Sequence, residues 1–576
     1  MPDQPVTSTP VKRESRSRKG CPECRSRKIK CDEQKPECGQ CLKTGRVCRI
    51  VDSLFKPHSY SFQVIPAQQA PSAEPTNGAT LEEQPNVLSP LSHAQREERG
   101  SAPQWSTVSP IPEDSYQDRC EIAFFLRHFS EGPGQWMDIC GGQSYFSKQA
   151  IVLSHWSPLV RYAACALGAK QLGQTRNPEL QIRQTNTQSL MMKALIETRL
   201  GFTWYGAKYY EKAIQLLANQ ISTHDRLSHS LSPNHIYGLG LTPQSADSNS
   251  VRDHDENGLP FQIIAACILC QYEDVNATIR AWSGHLDGVV RLLRPDLTEP
   301  TSFEVSINVP QPVRAFDAVF WFFAVNDMLN SFVTRHKPRI DPDDMALWCR
   351  MGVPLDRYGN LVADFPGDAE LETILFKALI RIMCQMLSSD LTDRTQWNKV
   401  NEKFDHWQNA VPPSFYIPIA WPPAESNPVP STDPFAREIW FESDICAITL
   451  AFYHMARMIM LINRPINLLV QQSRDGNDLL GTYNTLQQDL RKHAMEIIPM
   501  MHAIPSETVR KYMLQPLYVA GRSLTDDLER RSLLRILRAM GDDFGLFTDY
   551  RIQDLCEEWG LPYDGIDRRD GHGIVT

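Results

Sequence analysis

Residues 21–48 read CPECRSRKIKCDEQKPECGQCLKTGRVC, and they hold six of the 15 cysteines of the chain. The six form two halves of one pattern, in which a C-x2-C pair is followed, after six further residues, by a third cysteine. The halves are Cys21, Cys24 and Cys31, then Cys38, Cys41 and Cys48. Two thiolates three residues apart on a turn point the same way, so each half predicts a metal-binding unit.

The number of ligands predicts a shared cluster. Zinc in structural sites takes four ligands, and three thiolates leave it one short. Two Zn²⁺ ions need eight ligand positions, which six cysteines fill if two of them bridge the ions. The nearby Arg25, Arg27, Lys28 and Lys30 offset the net negative charge of such a cluster and help to keep the thiols ionised.

The polar N-terminal segment and the helical spacing of the most apolar stretch favour metal binding by the clustered cysteines over disulfide formation. Met1–Pro10 is polar, and no apolar segment follows it as a secretory signal would require. The most apolar stretch, Ile445–Ile462, contains His454 and Arg457 and has helical spacing, which predicts a core helix and no membrane contact. We therefore expect a reducing compartment, where clustered cysteines bind metal.

Charge is distributed unevenly along the 576 residues, although the overall composition is that of an ordinary globular protein. The net charge of the chain is −9. Residues 11–50 carry thirteen lysines and arginines against five acidic residues, so this segment is +8 and the remainder is −17. Such asymmetry predicts a small polyanion-binding head on an acidic body.

The cysteine motif, with its basic strip and the segment Lys35–Cys38, resembles the fungal Zn(II)2Cys6 binuclear cluster of Gal-type transcription factors. The resemblance implies that Cys21 and Cys38 bridge two Zn²⁺ ions. It further implies that the remaining ligands divide between the ions, with Cys24 and Cys31 on one ion and Cys41 and Cys48 on the other.

The same resemblance implies how the head reads double-stranded DNA. It places the helix predicted over Arg25–Lys30 in the major groove, above a CGG triplet. Arg27 and Lys28 match the base-contacting pair, and such side chains donate to guanine O6 and N7. Arg25 and Lys30 are then candidates for phosphate contact. The expected protein is a nuclear regulator of RNA polymerase II promoters whose partners are CGG-containing DNA and the transcription machinery or co-regulators.

The segment after the cluster departs from the family pattern, because many members dimerise there through a coiled coil. Residues 49–115 show no sustained apolar heptads, and nine prolines lie within 51–115. We interpret 51–115 as a disordered Pro/Ser/Gln-rich linker. The chain is then expected to bind DNA as a monomer or to form a homodimer through its helical part.

Helical periodicity dominates from about residue 116 onward. The predicted helices are 118–131, 148–173, 185–199, 203–221, 259–274, 276–294, 314–334, 370–388, 434–463, 482–503, 506–520, 526–541 and 551–559. The predicted loops are 225–258, 295–312, 353–369 and 410–433. The organisation is therefore a basic tail (1–19), the zinc cluster (20–50), the linker (51–115) and a large all-α domain (116–576).

Parts of this helical body resemble the fungal-specific regulatory region that often follows a zinc cluster. The matching pieces are Trp282–Leu293, which includes His285, and Pro516–Gly521. The resemblance implies a regulatory domain with no catalytic role. We expect Trp282 and His285 to serve packing and a satisfied polar contact.

Two other function classes stay open: a zinc-dependent protein-interaction scaffold without sequence-specific DNA binding, and an enzyme within the helical body. The motifs GxxxxGK(S/T), HExxH and GxSxG are absent, so we expect no enzyme. Cys267 and Cys270 lie in an apolar helical run and are expected to be core thiols. The cluster of His224, His229 and His235 is expected to be a polar loop.

Overall fold

The computed structural model describes most of the body and a small part of the head. The described residues are 24, 27, 29, 39–44, 115–140, 144–230, 258–298, 315–362, 371–412, 415, 419–421, 434–435, 437–465 and 479–563. The predicted basic tail, and the predicted linker apart from Ser115, lie outside them.

The described part is a helical protein with one small sheet, which confirms the predicted all-α body. The helices are α1 (Gly39–Leu42), α2 (Tyr116–Glu131), α3 (Pro133–Trp136), α4 (Ala150–Leu153), α5 (Pro158–Gln174), α6 (Asn186–Glu197), α7 (Phe202–Ser230), α8 (Gly258–Val275), α9 (Ile279–Thr298), α10 (Ala315–Thr334), α11 (Met345–Arg350), α12 (Leu371–Ser388), α13 (Arg394–Ala410), α14 (Asp444–Ile462), α15 (Leu479–Ile497), α16 (Glu507–Tyr512), α17 (Leu514–Gly521), α18 (Asp527–Phe544) and α19 (Asp549–Trp559). The strands β1 (Ile419–Trp421) and β2 (Glu438–Trp440) pair antiparallel.

Helix α5 lies at the centre of the first half of the body because small residues let its neighbours approach closely. A side chain at Gly168 would place its Cβ 2.9 Å from the carbonyl oxygen of Phe125 in α2. A side chain at Gly206 in α7 would place its Cβ 3.1 Å from the backbone nitrogen of Lys170 in α5. Glycine at these two positions therefore permits the α2–α5–α7 packing.

Two tryptophans fix α13 against its neighbours in the second half. The indole nitrogen of Trp397 donates to the carbonyl oxygen of Met460 in α14 at 2.9 Å. The indole nitrogen of Trp407 donates to the carbonyl oxygen of Leu375 in α12, also at 2.9 Å. Each ring thus buries its apolar surface while its one donor is satisfied.

The C-terminal helices pack back onto the first helices and close a single core. The side-chain amide of Gln171 in α5 donates to the carbonyl oxygen of Phe544 at 3.0 Å. The backbone nitrogen of Phe547 donates to the carbonyl oxygen of Val275 at 3.0 Å. Between them, Gly545 ends α18 with φ +75°, and a Cβ there would lie 2.6 Å from the Gln171 carbonyl oxygen. Only glycine fits this turn.

Helix α13 was not among the helices predicted from the sequence. Its buried residues Trp397, Val400, Phe404 and Trp407 lie three, four and three residues apart, which is helical spacing. Most of its other residues are polar or charged, so the apolar face was obscured by the low average hydrophobicity of the segment.

Several predicted helices have different boundaries in the structure. Helix α7 continues to Ser230, into a segment predicted to be a loop, and the helix predicted over 506–520 divides into α16 and α17. The helix predicted over 434–463 begins only at Asp444, since β2 occupies its first part and pairs with β1 in a segment predicted to be a loop. The helix predicted over 148–173 is interrupted before Pro158. There Ser157 caps a new helix by accepting a hydrogen bond from the Val160 backbone nitrogen.

Helix α14 is long and apolar enough to cross a membrane by length and composition alone, and it is the one described helix that meets this criterion. An interior helix of a globular protein meets it too, and 67% of the relevant stretch is buried. Its polar residues have partners on neighbouring helices. Arg457 pairs with Asp405 at 2.9 Å, and the Nδ1 atoms of His454 and His493 are 2.9 Å apart. These contacts support the predicted core helix.

We expect the free energy of unfolding to fall as pH falls from about 6.5 to about 4, in part because of His128. This side chain is 2% exposed, and burial lowers its pKa from 6.5 to about 4. Between these pH values the unfolded chain binds a proton at this histidine and the folded chain does not. The free energy of unfolding is therefore at its full value above pH 6.5 and decreases as the pH falls through the window. The contribution is on the order of 3 kcal/mol.

Denaturant unfolding of the full chain between pH 4 and pH 7 measures this contribution. His128→Gln should flatten the pH dependence relative to the parent chain, and His155→Gln, at an exposed position, should leave it unchanged. Identical profiles for His128→Gln and the parent would contradict the assignment.

Candidate metal centre

The two described cysteines of the head, Cys24 and Cys41, occupy equivalent places in the two halves of the motif. Both side chains are 0% exposed, and their sulfur atoms are 3.9 Å apart although 17 residues separate them in the chain. Two sulfurs bound to one tetrahedral zinc lie about 3.8 Å apart. The donors and their spacing therefore fit a compact zinc–thiolate cluster, and this one distance does not assign either sulfur to an ion.

A backbone turn supports each described sulfur. The Ile29 backbone nitrogen donates to the Cys24 carbonyl oxygen at 3.1 Å, and the Thr44 nitrogen donates to the Cys41 carbonyl oxygen at the same distance. Cys41 lies in the short helix α1. The other four predicted ligands lie outside the described residues; they are Cys21, Cys31, Cys38 and Cys48.

Arg27 connects the two halves of the head. Its Nη1 atom donates to the hydroxyl oxygen of Thr44 at 3.2 Å, and that hydroxyl donates to the Gln40 carbonyl oxygen at 2.9 Å. The Arg27 side chain is nevertheless exposed. Because a guanidinium has five N–H donors, one can hold Thr44 while others face an external anion.

Sequence reasoning did not identify Thr44. The local signal was weak, since a threonine that bonds the carbonyl four residues earlier is common in helical turns. Of the predicted DNA-contacting residues, Arg27 is described, and Arg25, Lys28 and Lys30 lie outside the described part.

Comparison with known protein families identifies both parts of the chain. Residues 19–57 match the fungal Zn(2)-Cys(6) binuclear cluster domain, and residues 124–551 match the fungal specific transcription factor domain. The second match spans about three quarters of the chain. The chain belongs to the fungal specific transcription factor family. It is a zinc-binding transcription regulator with a cluster domain near its N-terminus and a large helical region after it.

Individual relatives are transcription regulators. The chain is 26% identical to the transcription activator AMTR1 of Alternaria alternata over 562 residues, covering 88% of this chain and 71% of the relative. It is 33% identical to the transcriptional regulatory protein moc3 of Schizosaccharomyces pombe over 128 residues, covering 20% and 25%. It is 47% identical to the lysine biosynthesis regulatory protein LYS14 of Saccharomyces cerevisiae over 57 residues, covering 9% and 7%. No solved structure matches the chain significantly.

The third C-x2-C pair of the chain, in the helical body, is a pair of core thiols. Cys267 and Cys270 are fully buried in α8, and burial raises the pKa of both, which opposes the thiolate form that metals bind. Within the part of the chain that the structure describes, no group of three or more His, Cys, Asp or Glu side chains could hold a metal ion.

The histidines singled out from the sequence divide into two cases. His285 Nε2 lies 3.0 Å from the Tyr210 hydroxyl, which confirms its polar contact. Trp282, one turn earlier, is buried, which confirms packing, but its Nε1 atom has no hydrogen-bond partner among the described residues. The prediction of a polar loop is wrong for His224 and His229, which lie in helix α7, while His235 lies outside the described residues.

Proposed function

We propose that this regulator acts in the nucleus and recognises CGG-containing promoter DNA through two Zn²⁺ ions held by six cysteines. One observation carries the proposal: the buried thiols of Cys24 and Cys41 meet at 3.9 Å beside an exposed arginine, within the segment that matches the zinc cluster domain. The role of the metal is structural. When bound, it supplies the folding free energy of a head too small to form a core.

The proposed ligand set follows the family pattern. Cys21 and Cys38 would bridge the ions, Cys24 and Cys31 would complete one, and Cys41 and Cys48 the other. This arrangement uses every cysteine of residues 21–48 and leaves the body thiols out of the cluster.

The proposed DNA contacts divide by position. Arg27 and Lys28 would donate to guanine O6 and N7, while Arg25 and Lys30 would neutralise phosphates. The hydrogen bond from Arg27 to Thr44 restricts where the guanidinium can point. Thr44 is therefore a candidate positioning residue for base recognition.

The helical body would regulate, without catalysis, by contacting the transcription machinery or co-regulators. Its net negative charge suits protein contacts and opposes nonspecific attachment of the body to DNA. A CGG triplet occurs far too often in DNA to specify a promoter. A second zinc-cluster head or another DNA-binding protein must therefore contact further bases. A homodimer formed through the helical body would provide the second head.

The experiment that tests this function is selection of duplexes from a random pool by the full zinc-loaded chain at moderate salt. We expect enrichment of CGG, as a single triplet for a monomer or as a spaced pair for a dimer. Lys28→Ala should keep its zinc and lose about 1–3 kcal/mol of preference for the triplet. An equal loss on all sequences would show that Lys28 contacts phosphate only.

The alternative function is a zinc-dependent protein-interaction scaffold, and the salt dependence of binding separates the two. A head that contacts about five phosphates should lose duplex affinity with a log–log slope of about −4 to −5. A scaffold should show neither this slope nor any enriched sequence. A zinc-loaded chain with neither property would refute the DNA-reading proposal.

A further inference from the structure

Three arginines follow one another along one face of α18 without a carboxylate to pair with. Arg531, Arg535 and Arg538 are spaced four and three residues apart, which places them on successive turns of the helix. Arg531 and Arg535 are exposed and Arg538 is half-buried. Among the described residues, none forms an ion pair or accepts a hydrogen bond from any of these three guanidinium groups.

The carboxylates of α18 itself are engaged by other arginines. They form four pairs, which are Asp527 with Arg530, Glu529 with Arg491, Asp542 with Arg176, and Asp543 with Arg510. Like charges three or four residues apart on a helix repel each other and destabilise it. Because this repulsion is not offset inside the helix, the three arginines are better explained by an external partner than by the stability of the fold.

Two leucines lie beside these arginines and complete an open groove. Leu528 is 59% exposed and Leu534 is 7% exposed. The space that the two leucines line with the three arginines is about 350 Å³ and opens to solvent, and we call these five residues the arginine groove. A pocket for a small molecule encloses most of its ligand, whereas an open groove along a helix suits a segment of polypeptide.

We propose that the arginine groove binds an acidic segment of a partner protein, with its carboxylates on the arginines and an apolar side chain against Leu528 and Leu534. A guanidinium matches a carboxylate through two parallel hydrogen bonds. The rise of the helix separates Arg531 from Arg535 by about 6 Å along its axis. Alternate residues of an extended peptide lie about 6.6 Å apart and present carboxylates at nearly this spacing. The proposal rests on the proposed contact of the helical body with co-regulators, and not on how the head reads DNA.

The composition of the groove favours an acidic peptide over duplex DNA. All three cations are arginines, which protein interfaces favour over lysine. Leu528 is exposed beside them, and a phosphate backbone would offer it no apolar contact. A duplex also carries one negative charge about every 1.7 Å. Because the chain outside the head is acidic, it repels such a long polyanion more strongly than a short peptide with a few carboxylates.

Fluorescence anisotropy with the full zinc-loaded chain at moderate salt tests the groove. The probe is a short labelled peptide with glutamate at alternate positions and one central leucine. Arg535→Gln should weaken binding at least threefold, and glutamine at all three arginine positions should weaken it at least tenfold. Arg280→Gln is the matched control, because Arg280 is an exposed arginine of α9 that pairs with no described residue, and this variant should match the parent. Equal affinities of the triple variant and the parent would overturn the proposal.

Thermal unfolding of the same variants separates lost binding from a damaged fold. Arg535→Gln removes the repulsion that Arg535 exerts on Arg531 and Arg538, so its melting temperature should equal or exceed that of the parent. A lower melting temperature would show that Arg535 serves the fold and would overturn the proposal.

Changes to the probe and a duplex control separate the other occupants. A peptide with glutamine in place of glutamate should not bind, and one with serine in place of leucine should bind at least threefold more weakly. The log–log salt slope for a duplex without CGG should be the same for the parent and the triple variant. A slope that is smaller in magnitude by about 2–3 for the triple variant would place phosphates in the groove and overturn the peptide assignment. Failure of the parent to enrich CGG would refute the DNA-reading function and leave the peptide result unchanged.

Discussion

Replacing Cys38 with alanine should remove both zinc ions and all sequence-selective DNA binding from the chain. In the proposed cluster Cys38 bridges the ions, so its loss leaves each tetrahedron incomplete. Metal binding and folding are one process at such sites, and each structural zinc contributes on the order of 10 kcal/mol. Zinc per chain by atomic emission, together with binding to the selected duplex, measures the effect.

Cys267→Ala is the matched control, because Cys267 is a fully buried thiol of the C-x2-C pair in the helical body. This variant should keep two zinc ions per chain and bind the duplex as the parent does. One zinc retained by Cys38→Ala would show that Cys38 serves a single ion. Fewer than two in Cys267→Ala would show that the body holds metal.

Six candidate zinc ligands could be predicted from the spacing of the cysteines, and their division between two ions stays a prediction that rests on the family resemblance. The contact between Arg27 and Thr44 could not be predicted from the sequence. It joins residues 17 apart and depends on how the two halves of the head meet, which spacing alone does not determine. Arg27 was therefore expected to face DNA, with no indication that Thr44 holds it.

In the helical body, helices could be predicted from the sequence where the apolar face was continuous. Elements were missed where the apolar pattern was only a few residues long or lay among many polar residues. Three-residue strands such as β1 and β2 are too short to show alternation. Helix α13 was missed because polar residues surround its narrow apolar face.

Asp327→Ala is expected to cost about 3–5 kcal/mol of unfolding free energy, because it removes the buried partner of Arg339 and leaves two backbone nitrogens without their acceptor. The Asp327 side chain is 1% exposed and pairs with Arg339 Nη1 at 2.9 Å. It also accepts hydrogen bonds from the backbone nitrogens of Arg339 at 2.6 Å and Ile340 at 3.2 Å. This carboxylate thereby fastens the segment after α10 to the core of the body. Denaturant unfolding of the full chain measures the loss.

The same arginine supplies the control. Asp287 also pairs with Arg339, at 2.6 Å, but its side chain is 58% exposed. Solvent screens such a pair, so Asp287→Ala should cost no more than about 1 kcal/mol. Asp327→Asn keeps an acceptor for the backbone nitrogens and loses the charge, so it should lie between the two alanine variants. Equal costs for Asp327→Ala and Asp287→Ala would mean that burial of the Asp327–Arg339 pair does not determine its contribution to stability.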